Sequence, residues 1–426
     1  MTAQTIQKSK RGERLRLWWQ SVWRRFDDVP LLGWLVGALV AVGLEYVAGK
    51  GFAQLLGMRK SPALFGFLFV LKEPWLIPSA IAYVAVMTIL PIAAVAKVTA
   101  SVANKTAAAI LRTSTLLSVA VHLVLLYAVL HIWTGVLPYR LIVVKLTLIA
   151  IVITLSLNVV NGYMGEFSCS HPGFISLGAY GASVVTILIF DDPSPWLFPL
   201  ALIVGGIVAS LGALLVAIPS FRTRGDYLAI ISLAFTFIIK SFIENLDFVG
   251  GPRGLGGQPN WATLPVVFAV TIIAIWIINN FVRSILGKAL NAVRDNEAAA
   301  DAMTVNTRQT KMTAFLFSAF WAGVAGGLLA HVLAFINPAS FGLQKLAEVL
   351  AMVYFGGLNS VVGSIVGAVS LNLLGEMLRP LEIWKWIVIP LMLILMMIYR
   401  PTGLVAFKEF DIVALLQPKK TTKGDQ

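Results

Sequence analysis

Residues 141–160 read LIVVKLTLIAIVITLSLNVV, a run of apolar side chains with one charged residue, Lys145. A helix needs about 20 mostly apolar residues to cross the hydrocarbon core of a bilayer. The run lacks the polar and apolar alternation of strands in a membrane barrel, so its backbone groups have to be satisfied within a helix. Residues 141–160 therefore predict a transmembrane helix.

Similar runs recur along the chain. Apolar residues make up 58% of the 426 and charged residues 12%, and the mean hydropathy is +0.85, whereas a soluble globule is about half apolar and a quarter charged. We predict an all-α, polytopic membrane protein with about 10–11 transmembrane helices, one or two of them broken or re-entrant. The predicted spans are 31–48, 76–96, 114–134, 140–160, 172–190, 196–218, 227–243, 264–282, 312–334, 346–378 and 383–400.

The basic residues predict how the chain is oriented. The net charge is +13, but Lys and Arg lie at the ends of apolar spans, which is a topology signal rather than a surface for nucleic acid. With the N-terminus inside, the inner segments hold 22 Lys and Arg and the outer segments 6. This asymmetry follows the positive-inside rule. Both termini are then cytoplasmic, provided that 346–378 forms two short helices broken near Gly356, Gly357 and Gly363.

Composition also predicts the domain organisation. Residues 1–135 are expected to be an N-terminal extension, with a basic, tryptophan-containing amphipathic segment on the membrane surface followed by accessory spans. Residues 136–407 contain many glycines within apolar runs, which favours close helix packing and predicts the transmembrane core. Residues 408–426 are expected to be a cytoplasmic tail.

Catalytic and nucleotide-binding motifs are absent from the sequence. No GxxxxGK[ST] loop occurs, and the glycine-rich run GGPRGLGG at 250–257 has no lysine. The four histidines, His122, His131, His171 and His331, show no metal-ligand spacing, and Cys169 is the single cysteine. We expect no enzyme activity, no catalytic residue, no metal site and no cofactor bound by this chain.

The long polar interruption at 283–311 reads RSILGKALNAVRDNEAAADAMTVNTRQTK. At helical spacing, Leu286, Leu290, Val293 and Met303 form a partial apolar stripe. A helix of this kind either docks into a groove of a cytoplasmic partner or rests on lipid headgroups. Periodicity leaves both interpretations open.

The segment GKALNAVRDNEAAADAM resembles the coupling motif of permeases in binding-protein-dependent ABC transporters, in the version found in branched-chain amino acid permeases of LivM type. Three more stretches are similar to that family in the same order: NVVNGYMGEFSCSHPGFISLGAYGA at 158–182, RTRGDYLAIISLAF at 222–235 and FGGLNSVVGSIVGA at 355–368. The last span ends in YRPTGLVAF, as in the family. Two departures are Thr304, where a glycine usually follows the coupling helix, and Cys169 with Ser170, which replace the usual Leu-Gly before His171.

The resemblance implies a permease subunit that forms the path for branched-chain or related hydrophobic amino acids in a bacterial inner membrane. It implies four kinds of partner: a second homologous permease, two cytoplasmic ATPase subunits that use the ATP, a periplasmic substrate-binding protein and the lipid bilayer. The residues that it assigns to ATPase coupling are Gly287, Ala289, Arg294, Asp295, Asn296, Glu297, Ala298 and Asp301.

The substrate path is expected near the glycine-containing break between 162 and 173, where an unwound helix offers backbone groups to a zwitterion. Structural capping is the competing explanation for the asparagines. The candidate path residues are Asn158, Asn161, Gly162, Ser170, His171, Gly173 and Gly178. Charged residues in or beside spans are expected to reach an interface or to pair between helices; they are Glu45, Lys145, Lys240 and Glu348.

Two alternative functions remain open at this point. One is an ABC permease for urea, short amides or other amino acids. The other is a secondary transporter that works alone, although the sequence has no inverted repeat and no ladder of intramembrane carboxylates.

Overall fold

The structure is a computed structural model that describes residues 26–58, 74–189, 194–221, 227–379, 384–400, 402–407 and 409–419. Within these residues, eight helices are long and apolar enough to cross a membrane, which confirms the predicted all-α membrane fold. They are α1 (Leu31–Leu55), α2 (Ile77–Thr113), α3 (Thr115–Val136), α4 (Pro138–Met164), α5 (His171–Ile189), α6 (Phe198–Ser220, preceded by a 3-10 turn at Pro195–Leu197), α8 (Leu264–Arg283) and α11 (Thr307–Leu333).

The remaining helices are shorter or bent. Helix α7 (Tyr227–Glu244) is followed after a bend of 87° by the 3-10 turns Asp247–Val249 and Gly251–Arg253. The others are α9 (Ile285–Asp295), α10 (Glu297–Ala302), α12 (Leu343–Gly356), α13 (Val361–Met377), α14 (Lys385–Tyr399) and α15 (Ile412–Leu416). Two short strands, β1 (Leu255–Gly256) and β2 (Phe335–Ile336), pair antiparallel.

Several predicted boundaries differ from the observed ones. The span predicted at 76–96 continues through 97–113 as one helix of 37 residues, because no proline or glycine interrupts that segment after Pro91. Conversely, 346–378 contains the predicted break: α12 ends at Gly356 and α13 begins at Val361. Gly363, which was expected near the break, lies within α13. Residues 1–25 of the predicted N-terminal surface segment lie outside the described residues.

The chain divides into two compact units, 1–140 with 411–426, and 141–410. The division lies close to the predicted boundaries at 135 and 407, and 411–426, within the predicted tail 408–426, belongs to the first unit. There α15 packs on α1 and α3, and the backbone N–H of Lys419 donates to Asn104.

Small residues allow α1 and α2 to approach closely in the first unit. A Cβ at Gly37 would lie 2.7 Å from the carbonyl oxygen of Ile92 and 3.3 Å from the nitrogen of Ala96. Ala41, Ala96 and Ala103 are buried along the same helices. This small-residue contact is the packing mode expected of transmembrane helices.

A buried ion pair lies among these helices. Arg140 Nη2 is 2.7 Å from Glu45 Oε1, and both side chains are less than a tenth exposed. Tyr83 donates a hydrogen bond to the same carboxylate oxygen, and the guanidinium lies 4.8 Å from the ring centre of Trp133. These groups line a cavity of about 70 Å³. The predicted pairing of Glu45 is therefore present, with a partner 95 residues away in the chain.

The second unit is built around α5, α6 and α11, which pack on one another. A Cβ at Gly178 would overlap the backbone of Gly323, and one at Gly323 would lie 2.7 Å from the carbonyl oxygen of Gly205. Glycine is required at this crossing because any side chain would separate the helices. Gly178, predicted on the substrate path, thus lies at a helix contact.

The segment 402–407 closes the break between α12 and α13. The N–H groups of Leu404, Val405 and Phe407 donate to the carbonyls of Phe355, Gly356 and Leu358. These carbonyls lie at the end of a helix, where no further helical turn can bond them. The C-terminal segment therefore satisfies the backbone groups that the break exposes.

Candidate coupling segment and translocation path

The residues predicted to couple to ATPases lie in a polar segment, 284–306, that contains α9 and α10. Two side chains cap its helices: Ser284 Oγ accepts from Gly287 N at 3.4 Å and Asn296 Oδ1 from Ala299 N at 3.0 Å. Asn306, the last residue of the segment, caps α11, because its Oδ1 accepts from Gln309 N at 3.0 Å. Such caps satisfy the free N–H groups of a first turn. The polar segment is therefore two short capped helices rather than one.

The predicted apolar stripe of the polar segment is only partly correct. Leu290 and Val293 are buried, whereas Leu286 is 44% and Met303 76% exposed. The helical register ends at Asn296, which is extended and starts a new helix, so Met303 does not continue the face of α9. Ala298, Ala299, Asp301 and Ala302 are exposed with it, so the outer face of α10 combines small apolar side chains, one methionine and one carboxylate.

The end of α10 explains the unusual residue Thr304. Thr304 N donates to Asp301 O and Val305 N donates to Ala300 O, the hydrogen-bond pattern of a Schellman motif. In this motif the residue after the C-cap takes a left-handed conformation. That residue is Thr304, whose φ is 67°. Glycine is favoured at such a position because it has no Cβ. The departure from the family pattern noted in the sequence is thus a strained threonine.

The other predicted coupling residues occupy different environments. Gly287 is buried against the backbone of Val282, which a Cβ would overlap; Ala289 is half-buried, and Asp295 is exposed. Arg294 is paired with Asp295 at 2.8 Å and its guanidinium lies 5.5 Å from the ring centre of Phe407. Glu297 is paired with Lys311 at 2.9 Å and its side chain is half exposed.

The predicted substrate residues lie at a second interruption, which we call the interrupted segment, 159–170. Helix α4 ends in a π turn at Val159–Met164, Gly165 takes φ 77°, and α5 begins at His171. A π turn leaves one carbonyl without its usual partner and marks many functional sites. The break predicted between 162 and 173 is present.

Asn158 and Asn161 bond to backbone at these breaks. Asn158 Nδ2 donates to Ser360 O at 3.0 Å and to Ser364 Oγ at 2.6 Å, and its Oδ1 accepts from Asn359 N at 3.1 Å. Asn161 Oδ1 accepts from Ser168 N at 3.2 Å. Asn158, the residue before the interrupted segment, therefore joins α4 to the α12–α13 break, which matches the structural explanation given for it.

The remaining candidate path residues are also enclosed by protein. His171 is fully buried and hydrogen-bonded to Ser318 Oγ at 3.1 Å. Ser170 Oγ contacts Ser168 Oγ at 2.8 Å. A Cβ at Gly162 would overlap Asn158, and one at Gly173 would lie 2.9 Å from the ring of Phe235. Their role in substrate passage stays a prediction.

Cys169 anchors the interrupted segment to α7. Its N–H donates to Ser232 Oγ at 2.9 Å, and Thr236 Oγ1 donates to its carbonyl oxygen at 2.8 Å. Burial raises the pKa of the Cys169 thiol. The sequence reasoning missed Ser232 and Thr236, although Ser232 belongs to the motif at 222–235.

The other ionisable residues expected to pair in or beside spans do so in part. Lys240 lies 3.8 Å from Glu244 and Lys345 lies 3.1 Å from Glu348. Lys145 is 7% exposed. In the second unit His331 is held by Gly327 O at 2.8 Å and Thr186 Oγ1 at 3.0 Å. The residues that the structure describes contain no group of metal-ligand side chains.

The structure thus combines a helical membrane fold, interrupted spans and a capped polar segment. The family model described as "Branched-chain amino acid transport system / permease component" matches residues 139–398. The chain belongs to this family and is a multi-pass inner-membrane permease component, which confirms the resemblance seen in the sequence.

Individual relatives agree with the family. The chain is 31% identical over 297 residues to the high-affinity branched-chain amino acid transport system permease protein LivM of Escherichia coli K12, covering 62% of this chain and 69% of LivM. It is 23% identical over 285 residues to the permease protein BraD of Pseudomonas aeruginosa, covering 61% and 92%. It is also 25% identical over 224 residues to the ribose import permease protein RbsC of Haemophilus influenzae, covering 48% and 66%. No solved structure matches the chain.

Proposed function

We propose that this chain forms the path for branched-chain or related hydrophobic amino acids in an ATP-driven importer. Its partners are a second homologous permease, two cytoplasmic ATPase subunits and a periplasmic binding protein. The observation that carries the proposal is the match of residues 139–398, most of the second unit, to a branched-chain amino acid permease family. The chain itself binds neither ATP nor any other cofactor and catalyses no reaction.

The exposed face of α10 is the surface that meets the ATPases. Its four exposed residues after Glu297 are small or apolar apart from one carboxylate, Asp301, and Met303 is 76% exposed directly after the helix. A short helix with apolar anchors suits a groove on a partner. Both termini and the polar segment face the cytoplasm, as the 22 to 6 distribution of Lys and Arg indicates.

Reversal of the charge of Asp301 tests the docking surface. In a complex purified through a tag on this chain, Asp301→Arg is expected to lose the ATPase subunits, because a wrong-signed charge at a docked surface costs several kcal/mol. Asp247→Arg is the matched control: it changes another exposed aspartate, which follows α7. Full ATPase retention by Asp301→Arg would refute docking through this face. Glu297 is a poorer target because its reversal also breaks the pair with Lys311.

Uptake into proteoliposomes tests the cargo. The four-component complex is expected to accumulate leucine, isoleucine or valine when ATP and the binding protein are supplied. Urea, short amides and acidic amino acids tested side by side would identify a different cargo if one of them is taken up instead. Stoichiometric ATP binding by the isolated chain, measured by equilibrium dialysis, would contradict the proposal that only the ATPase subunits bind ATP.

A further inference from the structure

Lys311 stands between two carboxylates that come from different parts of the second unit. Its Nζ is 2.6 Å from Glu166 Oε1 and 2.9 Å from Glu297 Oε2. Glu166 belongs to the interrupted segment, Glu297 is the first residue of α10, and Lys311 lies in the first turns of α11. One ammonium group therefore connects the polar segment to the interrupted segment.

The contact between Lys311 and Glu166 is largely buried, so its loss is expected to be costly. The Lys311 side chain is 9% exposed and the Glu166 side chain 24%. Exposed ion pairs contribute little, whereas removal of one partner from a buried pair leaves an uncompensated charge and is strongly destabilising. Displacement of α10 away from the interrupted segment would separate the buried Lys311 from one of its two carboxylates. Separation of the polar segment from the interrupted segment therefore costs free energy, and we expect the two segments to move together.

Arg294 forms a second connection between the same segments. Its Nη1 donates to Gly162 O at 3.5 Å, and a Cβ at Gly165 would lie 3.1 Å from Arg294 Cβ. Glycine at 165, in the left-handed region, thus leaves the space that the arginine side chain fills. The contact joins the end of α9 to the π turn of α4.

We infer that Lys311, with Glu166 and Glu297, is a positioning element that transmits displacement of the polar segment to the interrupted segment. The inference rests on the proposed function, since it assumes that the ATPases move the polar segment. A mutation of Glu166 can distinguish loss of transmission from loss of ATPase docking. Glu166 lies in the interrupted segment and not on the face of α10, so the mutation leaves the docking surface unchanged.

The first test compares coupling in reconstituted complexes. Glu166→Gln is expected to retain the ATPase subunits while the ATP hydrolysed per amino acid transported rises about tenfold, because an interaction used in the moving step is lost. Lys311→Arg keeps a cation between both carboxylates and is expected to retain near-normal coupling. Lys311→Met removes the cation and is expected to lose coupling. Glu348→Gln, which removes a carboxylate from the Lys345 pair, is the matched control and is expected to behave as wild type.

The second test uses the purified permease without ATPases. Hydrogen–deuterium exchange in Glu166→Gln is expected to increase in 297–302 as well as in 159–170, because the mutated residue and α10 share Lys311. An increase confined to 165–170, together with an unchanged ratio of hydrolysis to transport, would overturn the inference. A wild-type chain that never retains ATPases would instead contradict the proposed function, and the exchange result would still report on the Lys311 connection.

Discussion

Thr304 shows how a single residue departs from what its backbone requires. A left-handed conformation costs an L-residue with a Cβ roughly 1–2 kcal/mol, and Thr304 is β-branched at φ 67°. Thr304→Gly is expected to stabilise the protein by about 1 kcal/mol, since relief of strain exceeds the added flexibility of the unfolded chain. Thermal unfolding in detergent measures this effect. Thr304→Ala keeps the Cβ and is the control; an equal gain from both variants would argue against backbone strain.

Cys169 gives a prediction on reactivity. The thiolate is the reactive form, and the raised pKa of the buried thiol lowers the thiolate fraction at neutral pH. The native protein is therefore expected to react with N-ethylmaleimide at least about tenfold more slowly than the unfolded chain in SDS. Mass spectrometry of timed samples at pH 7 measures both rates. Equal rates would show that the thiol is open to solvent in the native protein.

At the scale of elements, the ion pair between Glu45 and Arg140 is expected to hold the first unit together. Loss of one partner from a buried pair costs about 3–5 kcal/mol, whereas replacement of both by apolar residues is often neutral. Glu45→Gln should therefore lower the unfolding temperature in detergent, and the double variant Glu45→Leu with Arg140→Leu should recover most of the loss. A Glu45→Gln protein as stable as wild type would show that the pair contributes nothing.

The sequence predicts those elements that depend on residues close together in the chain. The break at Gly356 and the position of the polar segment could be inferred from residues close together in the chain, and Thr304 stood out through the resemblance to the family. The Lys311 contact could not, because Glu166 is 145 residues away and no periodicity records which charges meet. The same is true of Ser232 and Thr236, whose hydroxyl groups hold a backbone segment more than 60 residues distant.

At the scale of the molecule, orientation is tested by labelling in a Cys169→Ser background. Ala298→Cys and Asp247→Cys place thiols at exposed positions of α10 and of the turn after α7. The positive-inside distribution predicts that a membrane-impermeant maleimide added to intact cells labels position 247 and not 298. Labelling of 298 alone would invert the proposed topology.

The division into two units predicts the outcome of a truncation. Removal of 1–135 is expected to leave association with the ATPases intact, since the family match begins at residue 139. The truncated chain should also lack 411–426, whose helix α15 packs in the first unit. It should carry Arg140→Leu, because the partner of Arg140, Glu45, is gone. Co-purification with the ATPase subunits measures association. A stable, membrane-inserted truncation that retains no ATPase would show that the first unit is required.

The hydrogen bonds from Leu404, Val405 and Phe407 to the end of α12 bear on the order in which the protein is made. Residues 402–407 are among the last of the second unit to leave the ribosome, yet they close the gap between two helices synthesised well before them. The carbonyls at the end of α12 must be satisfied by water or by other protein groups until then, because lipid offers no partner. Insertion into the bilayer can thus proceed helix by helix, but the second unit reaches its native form only after residues 402–407 have been synthesised.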